Sequence, residues 1–90
     1  MPHVRLEFFG VPRQRSGIAA VDVDVATPTL GEVLLAAAKQ LPEFGCHCLN
    51  GDRLQRGLIA NINGRTFTSE PKTPLTDGDS VLILSADVGG

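Results

Sequence analysis

The sequence has no Trp or Tyr, only four Phe, and two Cys among its 90 residues. Two cysteines are too few for the disulfide framework of a small secreted domain. The longest apolar run, residues 33–38, is far shorter than the roughly 20 residues that span a membrane, and no secretory signal opens the chain. A net charge of −2 provides no basic excess for nucleic-acid phosphates. These absences predict a small, soluble, cytoplasmic domain that binds neither nucleic acid nor a membrane.

Two strands are predicted near the start of the chain. Apolar residues alternate with charged ones over residues 4–8 and again over residues 21–25, which is the period of a half-buried strand. Residues 10–17, which are rich in Gly and Arg, lie between them and indicate a loop. We therefore expect the two strands to form a hairpin.

One long helix is predicted after this hairpin. Thr29 and Glu32 have the spacing of a capping box, in which the side chain at the first position accepts a hydrogen bond from the backbone at the fourth. Pro42 cannot continue a helix, so the helix is expected to end near Leu41. The apolar stripe of this helix consists of Leu30, Val33, Leu34, Ala37, Ala38 and Leu41.

A second hairpin is predicted at Asn63-Gly64, because this dipeptide is the strongest short signal for a tight turn between strands. A two-residue turn here pairs Ala60 with Phe67 and places Phe67 on the buried face of the sheet. Residues 43–56 show no clear period and predict a connection. Residues 81–84 form a continuous apolar run, typical of a central strand buried on both faces.

The predicted order is strand, strand, helix, strand, strand, strand and tail. It indicates an α+β domain with a mixed sheet of four to five strands and one main helix packed on one face, as in the ubiquitin-like β-grasp. The domain is expected to comprise residues 1–85, followed by a flexible C-terminal tail over residues 86–90.

The tail emerges directly from the last predicted strand, residues 81–84, and ends in Gly89-Gly90. Glycine has no Cβ, so this segment can lie extended in a channel too narrow for other side chains. A terminal carboxylate is ionised at neutral pH and can attack the α-phosphate of a nucleotide. The resulting acyl-adenylate can then be displaced by a sulfur or amine nucleophile. The terminus is therefore suited to be a substrate of other enzymes.

Other candidate sites are weaker. Cys46-His47-Cys48 lies in a chain with one other His, His3, so it supplies too few ligands for a structural zinc site. We expect a plain loop there with no metal; a metal shared across a dimer is the alternative.

Asp22 and Asp24 are expected to form a solvated strand face, and no catalytic set is found. The arginines that could make local anion contacts are Arg13, Arg15, Arg53 and Arg56.

Five segments carry a family resemblance, in this order and spacing: residues 8–13 followed by Gly17, residues 29–34, Asn63-Gly64, residues 74–81, and Gly89-Gly90. Together they resemble the sulfur carrier family that includes the small subunit of molybdopterin synthase and the thiamine-biosynthesis carrier, MoaD and ThiS. The resemblance covers nearly the whole chain.

This resemblance implies a carrier protein that is not itself an enzyme. It implies that an E1-like adenylating enzyme uses ATP to activate the Gly90 carboxylate. A sulfurtransferase then supplies the sulfur of a thiocarboxylate, and a sulfur-accepting synthase subunit receives it. Val88 and Gly89 are the implied residues for binding in the partner's channel. No tightly bound cofactor is implied.

The pathway that receives the sulfur stays open at this stage. Chain length and the long segment after the first strand favour the molybdopterin type over the thiamine type, whereas residues 49–54 resemble carriers that serve cysteine synthesis. A ubiquitin-like modifier conjugated to lysine through Gly90 is the alternative function, because both functions begin with the same adenylate.

Overall fold

The computed structural model describes residues 1–86 of the chain. Its strands and helices form an α+β arrangement with one principal sheet. Within these residues, no helix has the length and apolar character needed to cross a membrane. The elements are β1 (His3–Phe8), α1 (Val11–Ser16), β2 (Ala20–Asp24), α2 (Leu30–Gln40), α3 (Pro42–Cys48), β3 (Leu49–Asn50), β4 (Arg53–Leu54), β5 (Leu58–Ile62), β6 (Thr66–Thr68) and β7 (Ser80–Ser85).

The principal sheet has five strands in the order β2-β1-β7-β5-β6, and β3 pairs with β4 in a separate two-stranded sheet. β1 and β2 form an antiparallel hairpin, as predicted, and so do β5 and β6. β7 lies in the centre, parallel to β1 and antiparallel to β5. The sheet is therefore mixed, and the chain has the predicted β-grasp arrangement.

The core lies between the sheet and α2. The Thr29 side chain accepts a hydrogen bond from the backbone N–H of Glu32 at 3.3 Å, which caps α2 at the predicted residue. Leu34 of α2, Leu6 of β1 and Ile83 of β7 are completely buried and belong to one apolar cluster. Each large apolar side chain buried in this way contributes about 1.5–3 kcal/mol. The helix therefore holds β1 and β7 together from one face.

The segment after β1, predicted as a loop, contains the short helix α1. Pro12 lies in its first turn, where a proline removes no helical hydrogen bond. Gly17 ends the helix in the left-handed conformation, with φ 76°, and its N–H donates to the carbonyl of Arg13 at 3.0 Å. The prediction was wrong because a helix of six residues, four of them polar, is too short to show an apolar period.

The connection predicted over residues 43–56 contains α3 and the small β3–β4 hairpin. Phe44 of α3 is completely buried, and its ring centroid lies 5.0 Å from that of Phe8. Gly45 faces Ala38 of α2 so closely that a Cβ at position 45 would lie 2.8 Å from the Ala38 Cβ. Gly45 therefore allows two helices to pack closely, although glycine at this position indicated a loop in the sequence.

The predicted register of the second hairpin is wrong by one residue. Asn63 and Gly64 both have positive φ, 55° and 72°, as a type I′ turn requires. One further residue separates the strands, so that Ile62 pairs with Thr66 and Phe67 lies opposite Asn61. A one-residue shift moves a side chain to the other face of a sheet. Phe67 is accordingly 62% exposed.

Candidate functional site

The sequence-predicted site residues Val88, Gly89 and Gly90 lie outside the described residues, and so does Asp87. The assignment of residues 86–90 as a flexible tail therefore stays a prediction. The structure describes the point from which these residues follow, which we call the tail base.

The tail base comprises Ser85, the last residue of β7, and Ala86. β7 is hydrogen-bonded on the β1 side up to Ile83 and on the β5 side up to Ala86. The Phe9 N–H donates to the carbonyl of Ile83 at 3.0 Å, and the Ala86 N–H donates to the carbonyl of Gly57 at 2.7 Å. Because β7 is also the central strand, the tail base has a fixed position relative to the core.

A groove of about 340 Å³ lies beside the tail base. Two exposed arginines contribute to its wall, Arg15 from α1 and Arg56 from the turn before β5. Nη1 of Arg15 donates a hydrogen bond to the carbonyl of His47 at 3.0 Å, which holds the side chain against α3. The groove also has an apolar part formed by Val11 and Leu58.

The sheet face opposite the helices has an apolar patch, which we call the open-face patch, formed by Ile59, Phe67, Leu82 and Leu84. In register, Ile59 lies opposite Leu84, while Phe67 and Leu82 both lie opposite Asn61. Leu82 and Leu84 are only half-buried, so β7 is fully covered on one face only. The prediction that it is buried on both faces was wrong. Leu84 and its neighbour Ile59 lie next to Ser85, so the open-face patch extends to the tail base.

At the opposite end of the sheet, Asp79 organises the turn before β7. Its carboxylate accepts hydrogen bonds from the Thr76 N–H at 2.8 Å and from Asn63 Nδ2 at 2.9 Å. Partial burial opposes ionisation, but these bonds and one from the Thr76 hydroxyl outweigh it, so the pKa of Asp79 lies below its ordinary value. Asp79 therefore stabilises the turn before β7.

The aspartates of β2 also have structural partners. Asp24 lies 3.0 Å from Nδ1 of His3, and this hydrogen bond is the main reason why the pKa of His3 is raised. Asp22 lies 3.4 Å from Arg5, and Asp77 accepts a bond from the His3 N–H at 2.7 Å. Asp22 and Asp24 are thus each paired with a side chain of β1, and they form the solvated strand face that the sequence predicted.

Cys46-His47-Cys48 forms the end of α3. Cys46 is exposed and Cys48 is buried, while His47 Nε2 lies 3.0 Å from Glu43 Oε2. Burial raises the pKa of the Cys48 thiol, and the nearby Arg15 guanidinium opposes that rise. Across residues 1–86, no three His, Cys, Asp or Glu side chains are grouped to hold a metal ion.

The sequence did not indicate that Arg15 and Arg56 lie at the same site. They are 41 positions apart in the printed sequence, on segments that were predicted as a loop and a connection. Only the order of strands brings both segments to the end of β7. The net charge of the whole chain, −2, concealed this local excess of positive charge.

Solved structures with the same fold were identified by structural comparison. The crystal structure of small archaeal modifier protein 1 (SAMP1) from Haloferax volcanii superimposes with a TM-score of 0.80 at 21% identity, over 98% of this chain and 99% of that one. CysO, in the Amycolatopsis orientalis BexX/CysO complex, gives a TM-score of 0.70 at 19% identity, over 97% and 99%.

A Pyrococcus furiosus protein named as molybdopterin converting factor, subunit 1, gives a TM-score of 0.72 at 18% identity, over 94% of this chain and 98% of that one. At these identities the likeness establishes the fold. A comparison with curated protein sequences returned no match. The sequence model of the ThiS family matches residues 6–90, which is nearly the whole chain. The chain therefore belongs to the ThiS family and has its ubiquitin-like β-grasp fold.

Proposed function

We propose that this protein is a sulfur carrier whose Gly90 carboxylate is adenylated by an E1-like enzyme and converted to a thiocarboxylate. The observation that carries the proposal is the family match, which extends to residue 90 and so includes Gly89-Gly90. The fold supports it, because the central strand β7 ends at Ser85, four positions before Gly89 in the sequence. A substrate segment that follows a fixed strand is presented to a partner at low entropic cost.

The proposed chemistry takes place at one carboxyl group in two steps. A Gly90 oxygen attacks the α-phosphate of ATP, and pyrophosphate leaves. Hydrosulfide, delivered by a sulfurtransferase, then attacks the acyl carbon, and AMP leaves with the former carboxylate oxygen. The thiocarboxylate that remains donates its sulfur to a biosynthetic intermediate held by a synthase subunit. The partners supply every catalytic group, so the carrier is a substrate in each step.

The chain's own residues contribute binding and positioning. Val88 and Gly89 are proposed to occupy the partner's channel, where the absence of a Cβ at Gly89 permits close approach. The open-face patch supports a docking role, because Phe67 is 62% exposed beside half-buried apolar neighbours. Aromatic side chains are enriched at protein interfaces. We therefore propose that partners bind this patch and the tail together.

We propose molybdopterin synthesis as the pathway that receives the sulfur, with the cysteine and thiamine pathways as the outcomes to exclude. The segment between β1 and β2, which forms α1, is the feature that resembles the molybdopterin type more than the shorter thiamine type. Likeness to the Pyrococcus furiosus converting factor is consistent with this assignment, although it is no greater than the likeness to SAMP1.

The test uses the full-length chain with the adenylating enzymes encoded in the source genome, ATP and a sulfide source. We expect intact-mass analysis to show exchange of one oxygen for sulfur, located at Gly90 by fragmentation. Deletion of Gly90 is the matched negative control. Failure of every adenylating enzyme to produce the exchange would refute the proposal. Supplying the thiocarboxylate to candidate acceptor subunits then identifies the pathway by its product.

The alternative function is a protein modifier, and the likeness to SAMP1, named as a modifier, favours it. In this reaction the ε-amine of a target lysine attacks the same adenylate and AMP leaves, which gives an isopeptide bond. The expected observation is a set of covalent adducts in cell extract that survive reducing agent and disappear when Gly90 is deleted. Thiocarboxylate formation without such adducts would exclude this function.

A further inference from the structure

We propose that Arg15 and Arg56 form an arginine clamp at the tail base that binds carboxylates of the enzyme that receives the tail. This inference rests on the proposed function, since it concerns how that partner is recognised. The clamp adds a charged contact to the apolar docking of the open-face patch.

The strand order places the two arginines on either side of the tail base. β7 lies between β1 and β5. Arg15 belongs to α1, which follows β1, and Arg56 lies in the turn that leads into β5. Both side chains line the groove in which Ser85 and Ala86 lie. Arg15 and Arg56 therefore belong to segments on opposite sides of β7 and line one groove at its end.

Arg15 is held in place but retains the capacity to bind a ligand. One of its N–H donors bonds the His47 carbonyl at 3.0 Å, which fixes the side chain against α3. A guanidinium has five N–H donors, so others remain for a second partner. Arg15 and Arg56 are both exposed, and neither forms a salt bridge with a carboxylate among residues 1–86.

Among residues 1–86, no carboxylate lines the groove that contains Arg15 and Arg56. Glu43 on α3 lies 3.0 Å from His47 Nε2, and Glu7 accepts a hydrogen bond at 3.2 Å from Ser80 Oγ, at the start of β7. Within the described residues, the groove wall therefore has two positive charges and no negative one.

At the far end of the sheet, three carboxylates outnumber Arg65, the arginine of the β5–β6 turn. Asp24 at the end of β2, and Asp77 and Asp79 in the turn before β7, all lie there. Charges separated in this way orient a molecule in the field of its partner and raise the rate of productive encounter. An acidic partner surface would attract this protein with its tail end forward.

The position of the clamp favours carboxylates of the partner protein over the phosphates of the nucleotide. Four residues separate Ala86 from the terminal carboxyl group, and four extended residues span about 13–14 Å. In the extended arrangement that a narrow channel requires, the reacting phosphate lies beyond the reach of a side chain at the tail base. The planar guanidinium fork matches a carboxylate in bidentate geometry.

The experiment measures the Kd between the full-length chain and its adenylating enzyme at low and at physiological ionic strength. We expect the Arg15→Ala/Arg56→Ala double variant to bind about tenfold more weakly at low salt, with a smaller dependence of Kd on salt. Arg65→Ala is the matched control, because Arg65 is an exposed arginine in the β5–β6 turn. Its Kd is expected to equal that of the wild type.

A second double variant distinguishes an effect of lost charge on binding from an effect of a disturbed fold. Arg15→Lys/Arg56→Lys keeps both charges, so it is expected to retain the salt dependence and to recover part of the affinity. The melting temperature of each variant shows whether loss of the bond from Arg15 to His47 has disturbed α3. If the alanine double variant has wild-type stability, wild-type Kd and wild-type salt dependence, the clamp is wrong.

Two further results are decisive. Asp87, which follows Ala86 in the sequence, is the chain's own carboxylate at this place. If Asp87→Asn weakens binding as much as the alanine double variant, the arginines serve Asp87 and the clamp is wrong. If no adenylating enzyme acts on the wild type, the proposed function fails and the clamp fails with it. If the wild type is activated normally and the alanine double variant binds as tightly as the wild type, the clamp alone is refuted.

Discussion

The two ends of the central strand differ in how their polar side chains are used. At the start of β7, Asp79 and Asn63 hydrogen-bond to backbone and side-chain groups of the neighbouring turns. At its end, Arg15 and Arg56 line a groove and carry no carboxylate partner among residues 1–86. The polar side chains at the start of β7 stabilise the turn there, whereas the two arginines at its end remain accessible to other molecules.

The tail end must therefore be stabilised by other means. Phe44 of α3 packs on Phe8 of β1 with ring centroids 5.0 Å apart, and both side chains are buried. Apolar packing does not depend on the state of surface charges. A binding surface supported in this way can change its charged contacts without loss of the fold.

The largest expected effect is on this packing. Phe44→Ala is expected to lower the free energy of unfolding by about 3–5 kcal/mol, because it removes a completely buried ring and leaves a cavity. Urea denaturation of the purified protein measures the change. Phe67→Ala is the matched control, since it removes the same ring from a position 62% exposed, and about 0.5 kcal/mol or less is expected there. Equal losses in the two variants would contradict the assignment of faces.

A smaller effect is expected at the turn end. Asp79→Ala is expected to cost about 1–2 kcal/mol, because Thr76 and Asn63 lose a charged acceptor. The pKa of Asp79 is lowered in the folded protein, so its carboxylate stabilises the fold above the ordinary pKa of 3.8. That contribution is lost as the pH falls through the lowered value.

Urea denaturation of the wild type and of Asp79→Asn over a pH series tests this dependence. The difference in stability between the two proteins is expected to be full at neutral pH and to shrink in acid below pH 3.8. A difference that stays constant over the whole series would show that the charge of Asp79 has no role. Adenylation at neutral pH should be unaffected, since the turn lies at the end of the sheet opposite the tail base.

The smallest effect on stability, and the largest on function, is expected from deletion of Gly89-Gly90. The core and both ladders of β7 are built from residues 4–85, which the deletion retains. We expect the melting temperature to be unchanged and adenylation to be abolished. Calorimetry and an assay for ATP-dependent pyrophosphate release provide the two measurements. A lower melting temperature would indicate that these glycines belong to the folded domain.

The strands and α2 could be predicted from sequence because each has one face in the core. Val4 and Leu6 alternate with exposed charged residues on β1, and the apolar stripe of α2 recurs at helical spacing. Burial on one side imposes the period of the element on the sequence. The central place of β7 was predictable on a different ground, an apolar run unbroken by charge, although one face of this strand is only half-buried.

The short helices could not be predicted in this way. Seven residues of α3 span about two turns, too few to establish a period, and they include Gly45. That glycine is explained by the proximity of Ala38, which is a tertiary contact and invisible in the local sequence. α1 was missed for the same reason of length, although Pro12 and Gly17 mark its two ends.

The site was predicted only where it depends on chain order. Gly89-Gly90 was proposed from its place after an apolar strand and stays a prediction, whereas the proposed arginine clamp joins residues from two segments that only the strand order brings together. The misplacement of Phe67 had a local cause, since Asn63-Gly64 specified the turn correctly but not the extra residue at Arg65. One residue decided whether an aromatic ring belonged to the core or to the open-face patch.

The double pairing of β7 also determines how the protein responds to a mechanical load. In the proposed function, a partner that holds the tail applies any load to β7 through Ser85. A load along the strand is shared, in shear, between the hydrogen bonds to β1 and those to β5. A last strand at the centre of the sheet therefore resists such a load better than a last strand at its edge, which has one neighbour only.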